Sequence, residues 1–249
     1  YLNIPLSRKN IQFPDHVTNI KIDVGLSSDA PQSFQWLESD PNVGVIGIEP
    51  LDFNVAAVKA KIQTHQDSQS LLPRFHILPF ALGAKVEKRT IFITAGDAGS
   101  SSLFMPLTME VLRKEIVPVI RLEQVLGLID PVRFPMIDYL KTDSQGSDLE
   151  ILQSGSNSLK RVAIVTAEAE NNAYLETSNS EEEMDAFMSS MGFVRHNPRS
   201  ALRRKVGGML AHIAVVHTIY SALKKLIAFL DMKPVSYTHL RAHETGRNL

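Results

Sequence analysis

Short β-branched runs alternate with helical patterns from Asn19 to Ala173, and this alternation limits the possible folds more than any other feature of the chain. Such alternation is typical of a parallel sheet with crossover helices. The first strand is predicted at Asn19–Gly25 and the second at Gly44–Pro50, with a helix between them that begins near Pro31. The predicted fold class is therefore α/β, with a doubly wound, mostly parallel sheet.

The same pattern continues along the chain. Further strands are predicted at Phe75–Gly83, Arg89–Thr94, Met136–Asp143 and Val162–Glu170, and a helical stretch around Met109–Glu115. A later helix is predicted from a stripe of core residues at helical spacing, Met184, Phe187, Met188 and Met191.

The composition indicates one globular domain with an appendage. The chain has 249 residues, of which 44% are hydrophobic, enough for a sizeable core. Its 26 basic residues almost cancel its 27 acidic ones, so we expect no nucleic-acid partner. The absence of cysteine excludes disulfides, thiol nucleophiles and Cys-ligated metals. It also fits a reducing compartment, and the predicted location is cytoplasmic.

The chain divides into four parts by its pattern. Residues 1–18 are predicted to be a partial lead-in, because the chain opens at Tyr1 and not at Met, and residues 19–194 form the interpretable domain. Residues 195–234 form a divergent basic and amphipathic helical segment. Residues 235–249 are similar to a translated sequencing-adapter end, and we exclude them from the fold prediction as non-native sequence.

Two features of the C-terminal part suggest other kinds of site. His239 and His243 have the spacing of metal ligands on a helix, but they lie in the excluded tail, and no metal site is predicted. Residues 199–230 combine basic residues with an apolar stretch that is shorter than the roughly 20 residues needed to cross a bilayer. We interpret this stretch as an amphipathic helix packed on the sheet, with an interfacial membrane helix as the alternative.

Acidic residues and a glycine stand where the predicted strands end. Asp23 and Gly25 close the first strand, Glu49 closes the second, and Asp143 closes the fourth core strand. Ligands of doubly wound sheets bind at these carboxyl ends. Gly25 allows a close turn under a ligand, and Glu49 can accept hydrogen bonds from both hydroxyls of a ribose. The spacing therefore predicts a ligand that contains a nucleoside.

The first loop discriminates between nucleoside ligands. A dinucleotide places its diphosphate on a G-x-G-x-x-G loop, whereas this loop reads GLSSDA, with one glycine and with Asp29 near the diphosphate position. S-adenosylmethionine (SAM) has a ribose and two positive groups but no phosphate. It therefore suits a pocket lined by Asp23, Asp29 and Asp143 better than a dinucleotide does, and SAM is the predicted cofactor.

Several motifs resemble the FkbM-type family of SAM-dependent methyltransferases. They are, in order, IDVGLSSDAPQSFQWL, VIGIEPLDFNV, the ALG of Ala81–Gly83, the SSL of Ser101–Leu103, VIRLEQVL and YLKTDSQGSDLEILQSG. The resemblance covers about Asn19–Phe193. Its most specific element is the K-x-D-x-x-G-x-[DE]-L-E-[IV]-L stretch from Lys141 to Leu152.

The resemblance implies a Rossmann-like domain of the class I methyltransferase type. Such a domain moves a methyl group from SAM to an oxygen, typically a hydroxyl of a sugar or small metabolite. The family usually has an Asn and a second Gly in the first loop, where this chain has Ser27 and Asp29, so the contacts to the methionine end of SAM stay open. The implied cofactor-binding residues are Asp23, Gly25, Glu49, Ala81, Leu82 and Asp143.

Two carboxylates are the candidate general bases. A neutral hydroxyl must lose its proton during methyl transfer, and Asp143 or Glu168 could accept it because each stands at a strand exit. Glu168 and Glu170 share one face of their strand, which could face the acceptor or water. Asp143 could instead cap the helix that begins at Ser147 or Asp148.

Two other functions stay open at the level of sequence. One is an NAD(P)-dependent oxidoreductase on the same fold. The other is a degenerate domain that binds a partner or a membrane surface without catalysis. For the methyltransferase, the expected partner is a small-molecule or glycan acceptor, and the sequence predicts no oligomeric state.

Overall fold

The computed structural model of the protein describes residues 10–95, 98–169, 179–196 and 233–239. Its helices are α1 (Pro31–Ser39), α2 (Asp52–Thr64), α3 (Ser68–Leu71), α4 (Leu122–Leu126), α5 (Asp148–Ser154) and α6 (Glu181–Ser190). Its strands are β1 (Asn19–Val24), β2 (Val43–Ile48), β3 (Phe75–Leu78), β4 (Ala81–Leu82), β5 (Glu87–Thr94), β6 (Val111–Ile120), β7 (Ile137–Thr142), β8 (Val162–Ala169), β9 (Phe193–His196) and β10 (Lys233–His239).

A seven-stranded sheet has the order β3-β2-β1-β7-β8-β10-β9. The neighbouring pairs among β3, β2, β1, β7 and β8 are parallel. Strand β10 runs antiparallel to both of its neighbours, β8 and β9. The strand order reverses at β1, which pairs with β2 on one side and β7 on the other. The prediction of a doubly wound, mostly parallel α/β sheet is confirmed, and the reversal places a ligand site at the ends of β1 and β7.

Apolar strands and one face of each helix build the core. All six residues of β2 are buried, as expected of a strand covered on both sides. Phe34 and Leu37 of α1 pack on one side of the sheet, and Met184 and Met188 of α6 are fully buried in the cluster on the other side. The predicted methionine stripe is therefore core packing.

A small sheet of order β4-β6-β5 corrects two sequence predictions. The segment predicted as one strand at Phe75–Gly83 divides at Pro79, which has no N–H for a sheet, so β3 joins the main sheet and β4 the small one. The predicted helix at Met109–Glu115 is wrong, because Val111–Ile120 forms the long strand β6. Its antiparallel pairing with β5 is a non-local interaction that a helical periodicity does not reveal.

Strand β10 includes residues that we excluded from the fold prediction. It inserts between β8 and β9, and its Tyr237 is buried with its hydroxyl donating to Asp185 Oδ1 at 2.7 Å. Residues 235–239 of the excluded tail thus contribute a strand, because the gap between β8 and β9 accepts an alternating segment in antiparallel register. Residues 199–230, Glu170 and His243 lie outside the described residues.

In the part of the chain that the structure describes, no helix combines the length and the apolar character needed to cross a membrane. Within the same ranges, no cluster of three or more His, Asp or Glu side chains could hold a metal ion.

Candidate functional site

A cavity of about 630 Å³ opens at the carboxyl ends of β1, β2 and β7. It lies at the point where the strand order reverses. The residues predicted to bind a cofactor all line it, namely Asp23, Gly25, Glu49, Ala81, Leu82 and Asp143. The structure therefore brings together side chains that are up to 120 positions apart in the chain, because parallel strands end at one edge of the sheet.

Gly25 joins the ends of β1, β2 and β7. Its N–H donates to the Ile48 carbonyl at 3.0 Å, and the Asp143 N–H donates to the Val24 carbonyl at 3.1 Å. With φ at +83°, Gly25 has a conformation that side chains disfavour, and a Cβ atom there would lie 2.1 Å from the Asp143 carbonyl oxygen. Glycine is required at position 25 because the end of β7, at Asp143, lies so close to it. The two residues line the cavity side by side.

A half-buried lysine links two of the carboxylates. The parallel register pairs Asp23 with Lys141, and the ammonium of Lys141 lies 3.3 Å from Asp23 Oδ1 and 3.3 Å from Asp143 Oδ2. The Ser33 hydroxyl donates to Asp23 Oδ2 at 2.7 Å. Burial raises the pKa of Asp23, although Lys141 and Ser33 oppose the shift. Burial lowers the pKa of Lys141, but the two carboxylates outweigh it and raise the pKa above its ordinary value.

Glu49 is held by the backbone on both sides of its carboxylate. The Leu51 N–H donates to Oε1 at 3.0 Å, and the Ser27 N–H donates to Oε2 at 3.1 Å. Burial raises the pKa of Glu49 to about 7, although hydrogen bonds from Leu51, Asn54 and Ser27 favour the ionised form. A carboxylate has about four lone-pair positions, so these three donors leave the oriented carboxylate one position for a hydroxyl of a ligand.

The loop between β1 and α1 has two residues other than glycine with strained backbone conformations. Ser27 and Ala30 have φ angles of +54° and +43°, and Ala30 immediately precedes helix α1. The Ser27 hydroxyl donates to Asp29 Oδ1 at 2.8 Å, and Lys61 Nζ donates to the Asp29 carbonyl at 2.7 Å. The loop therefore presents a carboxylate at the start of α1, where a diphosphate would require N–H donors.

A glutamine connects the two candidate bases. Gln145 Nε2 donates to Asp143 Oδ1 at 3.1 Å and to Glu168 Oε2 at 3.2 Å. Gln145 lines the cavity, and Glu168 lies behind it, buried at the exit of β8. The structure thus places the two carboxylates on either side of one amide.

Asp143 does not cap helix α5, the alternative that the sequence left open. Asp148 performs a related task instead, since its Oδ2 accepts from the Ser144 N–H at 3.3 Å and from the Ser144 hydroxyl at 2.9 Å. Burial raises the pKa of Asp148 to about 6, and the nearby Asp143 charge adds to this rise, although hydrogen bonds from Thr142 and Ser144 oppose it.

One wall of the cavity is apolar. Leu51, Ala81, Ile91 and Leu103 line it and belong to the core of the small sheet. These side chains offer a surface for a flat aromatic ring close to the Glu49 carboxylate, which stands two residues before Leu51.

Three residues of the site were not predicted from the sequence. Lys141 carried a signal, because residues i and i+2 of a strand share a face and so place Lys141 beside Asp143. Gln145 and Ser102 stand in two of the motifs, but neither motif indicated a contact between them. The Ser102 hydroxyl donates to the Gln145 carbonyl at 2.6 Å across 43 positions of sequence, a contact that only the fold brings about.

The arrangement suits SAM better than a dinucleotide. Among the described residues that line the cavity, the only cation is Lys141, and two carboxylates already pair with it. Diphosphate groups would lie beside the Asp29 carboxylate, where the Lys61 ammonium donates to the Asp29 carbonyl and does not line the cavity. A sulfonium and an ammonium would instead meet carboxylates. The Glu49 carboxylate and the apolar wall match a ribose and a purine.

A family model described as the methyltransferase FkbM domain matches residues 15–195. The chain belongs to the FkbM methyltransferase family. No curated protein matches this FkbM-family chain significantly in sequence. A solved structure of methyltransferase FkbM from Methylobacillus flagellatus matches it with a TM-score of 0.50 and 12% identity, over 90% of this chain and 44% of the other. That likeness confirms the class I methyltransferase fold.

Two further solved structures are more distant from the FkbM-family chain. The StiE O-MT, residues 942–1257, has a TM-score of 0.40 and 10% identity, over 89% of this chain and 66% of the other. Phosphoethanolamine N-methyltransferase 2 of Haemonchus contortus, solved with S-adenosyl-L-methionine, has a TM-score of 0.41 and 10% identity. The match covers 92% of this chain and 50% of the other. The chain spans between 44% and 66% of the length of these three structures.

Proposed function

We propose that the protein is a SAM-dependent methyltransferase that methylates a hydroxyl of a small-molecule or glycan acceptor. The observation that carries the proposal is the pair of carboxylates, Glu49 and Asp143, that line one cavity at the reversal of strand order. Membership of the FkbM family supports methyl transfer, and the absence of a phosphate-binding loop supports SAM over NAD(P).

Different residues that line the cavity match the ribose, the adenine and the methionine end of SAM. Glu49 accepts a hydrogen bond from a ribose hydroxyl, and Leu51, Ala81 and Leu103 contact the adenine. The carboxylate of Asp143, with that of Asp23 beneath it, stabilises the positive methionine end. SAM, when bound, supplies a methyl group that is already activated by the sulfonium.

The acceptor hydroxyl must be positioned and deprotonated by the protein. Positioning in line with the methyl group supplies much of the rate acceleration. We assign proton acceptance to Asp143 or Glu168, because both are hydrogen-bonded to Gln145 at the strand exits. Asp143 is the more accessible of the two, since its side chain is 41% exposed whereas Glu168 is 9% exposed.

Partners and location are further parts of the proposal. The near balance of charges supports the expectation that nucleic acid is not a partner, and the lack of cysteine supports a cytoplasmic location. The alternative for residues 199–230 is contact with a membrane surface. Sedimentation of the protein with anionic liposomes tests it.

Incubation with isotopically labelled SAM and fractionated metabolites tests the proposed reaction. We expect label to appear in a hydroxyl-containing acceptor as a methyl ether. Asp143→Asn and Glu168→Gln variants then identify the base: the variant that binds S-adenosylhomocysteine normally but transfers methyl groups at least about tenfold more slowly lacks it. Full turnover by both variants would refute the assignment to these carboxylates.

A further inference from the structure

We propose that Gln145 is a positioning residue, whose amide holds the Asp143 and Glu168 carboxylates in one fixed arrangement at the wall of the cavity. The inference rests on the proposed function, which it deepens by naming the group that orients the candidate bases. Gln145 itself is not assigned a chemical step.

The side chain of Gln145 matches its two neighbours in hydrogen-bonding character. Its NH₂ group has two hydrogens, and the two acceptors, Asp143 Oδ1 and Glu168 Oε2, lie at 3.1 and 3.2 Å. Both neighbours are carboxylates, so the amide must present its nitrogen to them and not its oxygen. One amide therefore orients two groups that would otherwise repel each other when both are ionised.

The backbone of Gln145 is fixed independently of its side chain. Its φ angle is +54°, in the left-handed region, and its carbonyl accepts the Ser102 hydroxyl at 2.6 Å. Ser102 is itself bridged to Phe92 of β5 by two backbone hydrogen bonds of 2.8 and 3.1 Å. A strained conformation of a non-glycine residue persists only where its surroundings impose it, and here the small sheet imposes it at the cavity.

The placement of Gln145 indicates a role at the site beyond packing. It is buried between the ends of β7 and β8 and also lines the cavity. The Asp143 side chain is 41% exposed, and its ion pair with Lys141 and its hydrogen bond from Gln145 together restrict the rotamers that it would otherwise sample in solvent. The other charged groups near Asp143 are Lys141, which pairs with its Oδ2, Asp23 and Asp148.

The expected effect of removing the amide follows from these contacts. Gln145→Leu keeps a similar volume but removes both N–H donors, and Gln145→Asn keeps an amide that tolerates the left-handed region but is too short to reach both carboxylates. We expect either variant to release the two carboxylates from their fixed arrangement, because each variant loses at least one of the two hydrogen bonds that the amide donates. We expect kcat to fall about tenfold or more, with a smaller change in the KM for SAM because Asp143 keeps its ion pair with Lys141.

Carboxyl ¹³C NMR chemical shifts of Asp143 and Glu168 in the full chain test the inference without knowledge of the acceptor, and methyl transfer from labelled SAM adds the kinetic arm. Gln63→Leu, which removes an exposed amide of α2, is the matched control and should change neither property. If Gln145→Leu does not fold, Gln145→Asn carries the test. Unchanged carboxyl chemical shifts and unchanged kcat in a folded variant would overturn the positioning role. Failure of the wild-type protein to bind S-adenosylhomocysteine would overturn the proposed function instead.

Discussion

Gly25 and Asp143 are in such close backbone contact that a Cβ atom on residue 25 would lie 2.1 Å from the Asp143 carbonyl oxygen. The contact joins the ends of β1 and β7, where the strand order reverses. It sets the distance between Asp23 and Asp143, and hence the geometry in which Lys141 reaches both carboxylates at 3.3 Å.

Gly25→Ala should therefore damage both the fold and the site. The substitution adds a backbone clash to an unfavourable positive φ, and we expect the free energy of unfolding to fall by about 3 kcal/mol or more. Urea denaturation measures the change. Gly127→Ala is the control, because Gly127 at the end of α4 has a φ of −71° and a new Cβ there would lie 3.3 Å from its nearest neighbour. Equal stability of the two variants would contradict this role of Gly25.

Ser27→Gly should stabilise the free protein. Ser27 has a φ of +54°, which glycine adopts without steric cost, and its N–H bond to Glu49 does not depend on the side chain. We expect a gain of about 0.5–1 kcal/mol after the loss of the Ser27–Asp29 hydrogen bond. Ser28→Gly, at a residue without positive φ, should give no gain. A thermal-shift series on the two variants makes the comparison, and destabilisation by Ser27→Gly would count against strain in this loop.

The affinity for S-adenosylhomocysteine should rise with pH through neutrality. Burial raises the pKa of Glu49 from 4.5 to about 7, so the carboxylate that we propose accepts a ribose hydroxyl becomes the main form only above pH 7. The ionised fraction rises about tenfold between pH 6 and pH 8, and the association constant should rise with it. For the same reason, the contribution of Glu49 to the stability of the free protein is greatest below pH 4.5 and is lost as the pH rises through 7.

Isothermal titration from pH 6 to pH 8 measures this linkage. Glu49→Gln should bind at least about tenfold more weakly at pH 8 and lose most of the pH dependence. A wild-type affinity that is constant over this range would show that Glu49 does not bind the ribose in its ionised form.

Arg74 should be indispensable for stability, though it is remote from the cavity. Its guanidinium is buried and donates to the carbonyls of Leu37, Asp40, Val43 and Ser70, each at 3.0 Å. Burial lowers the pKa of Arg74. Arg74→Met would leave several buried carbonyls without a donor, and we expect a loss of about 3 kcal/mol or more.

Arg113→Met provides the comparison for Arg74. The Arg113 side chain is 52% exposed and pairs with Glu115, so its removal should change the stability by less than about 1 kcal/mol. Chemical denaturation of both variants under the same conditions decides the point. A loss below 1 kcal/mol for Arg74→Met would contradict a stabilising role for its hydrogen bonds to the Leu37 and Asp40 carbonyls at the end of α1.

Local signals in the sequence were sufficient for the parallel strands of the main sheet and for the carboxylates that line the cavity. Buried β-branched runs that end in Asp23, Glu49 and Asp143 predict both the strands and the edge at which they end. Topology then brings these residues together without any further information, since parallel strands share one carboxyl edge.

The rest of the fold depends on contacts that no local pattern encodes. Strand β6 gains its conformation from pairing with β5, and β10 from the gap between β8 and β9. Gln145 is linked to Glu168 across 23 positions and to Ser102 across 43. The positive φ of Gln145 could not be predicted from the sequence, because glutamine is not a residue that favours the left-handed region.

Calorimetric titration of the wild-type protein with S-adenosylhomocysteine and, separately, with NAD⁺ tests the central claim most directly. We predict that S-adenosylhomocysteine binds at pH 8 with a dissociation constant of about 1–100 μM, that Glu49→Gln weakens this binding, and that NAD⁺ gives no heat of binding. Binding of NAD⁺ without S-adenosylhomocysteine would contradict the account in favour of an oxidoreductase, and binding of neither would contradict it in favour of a non-catalytic domain.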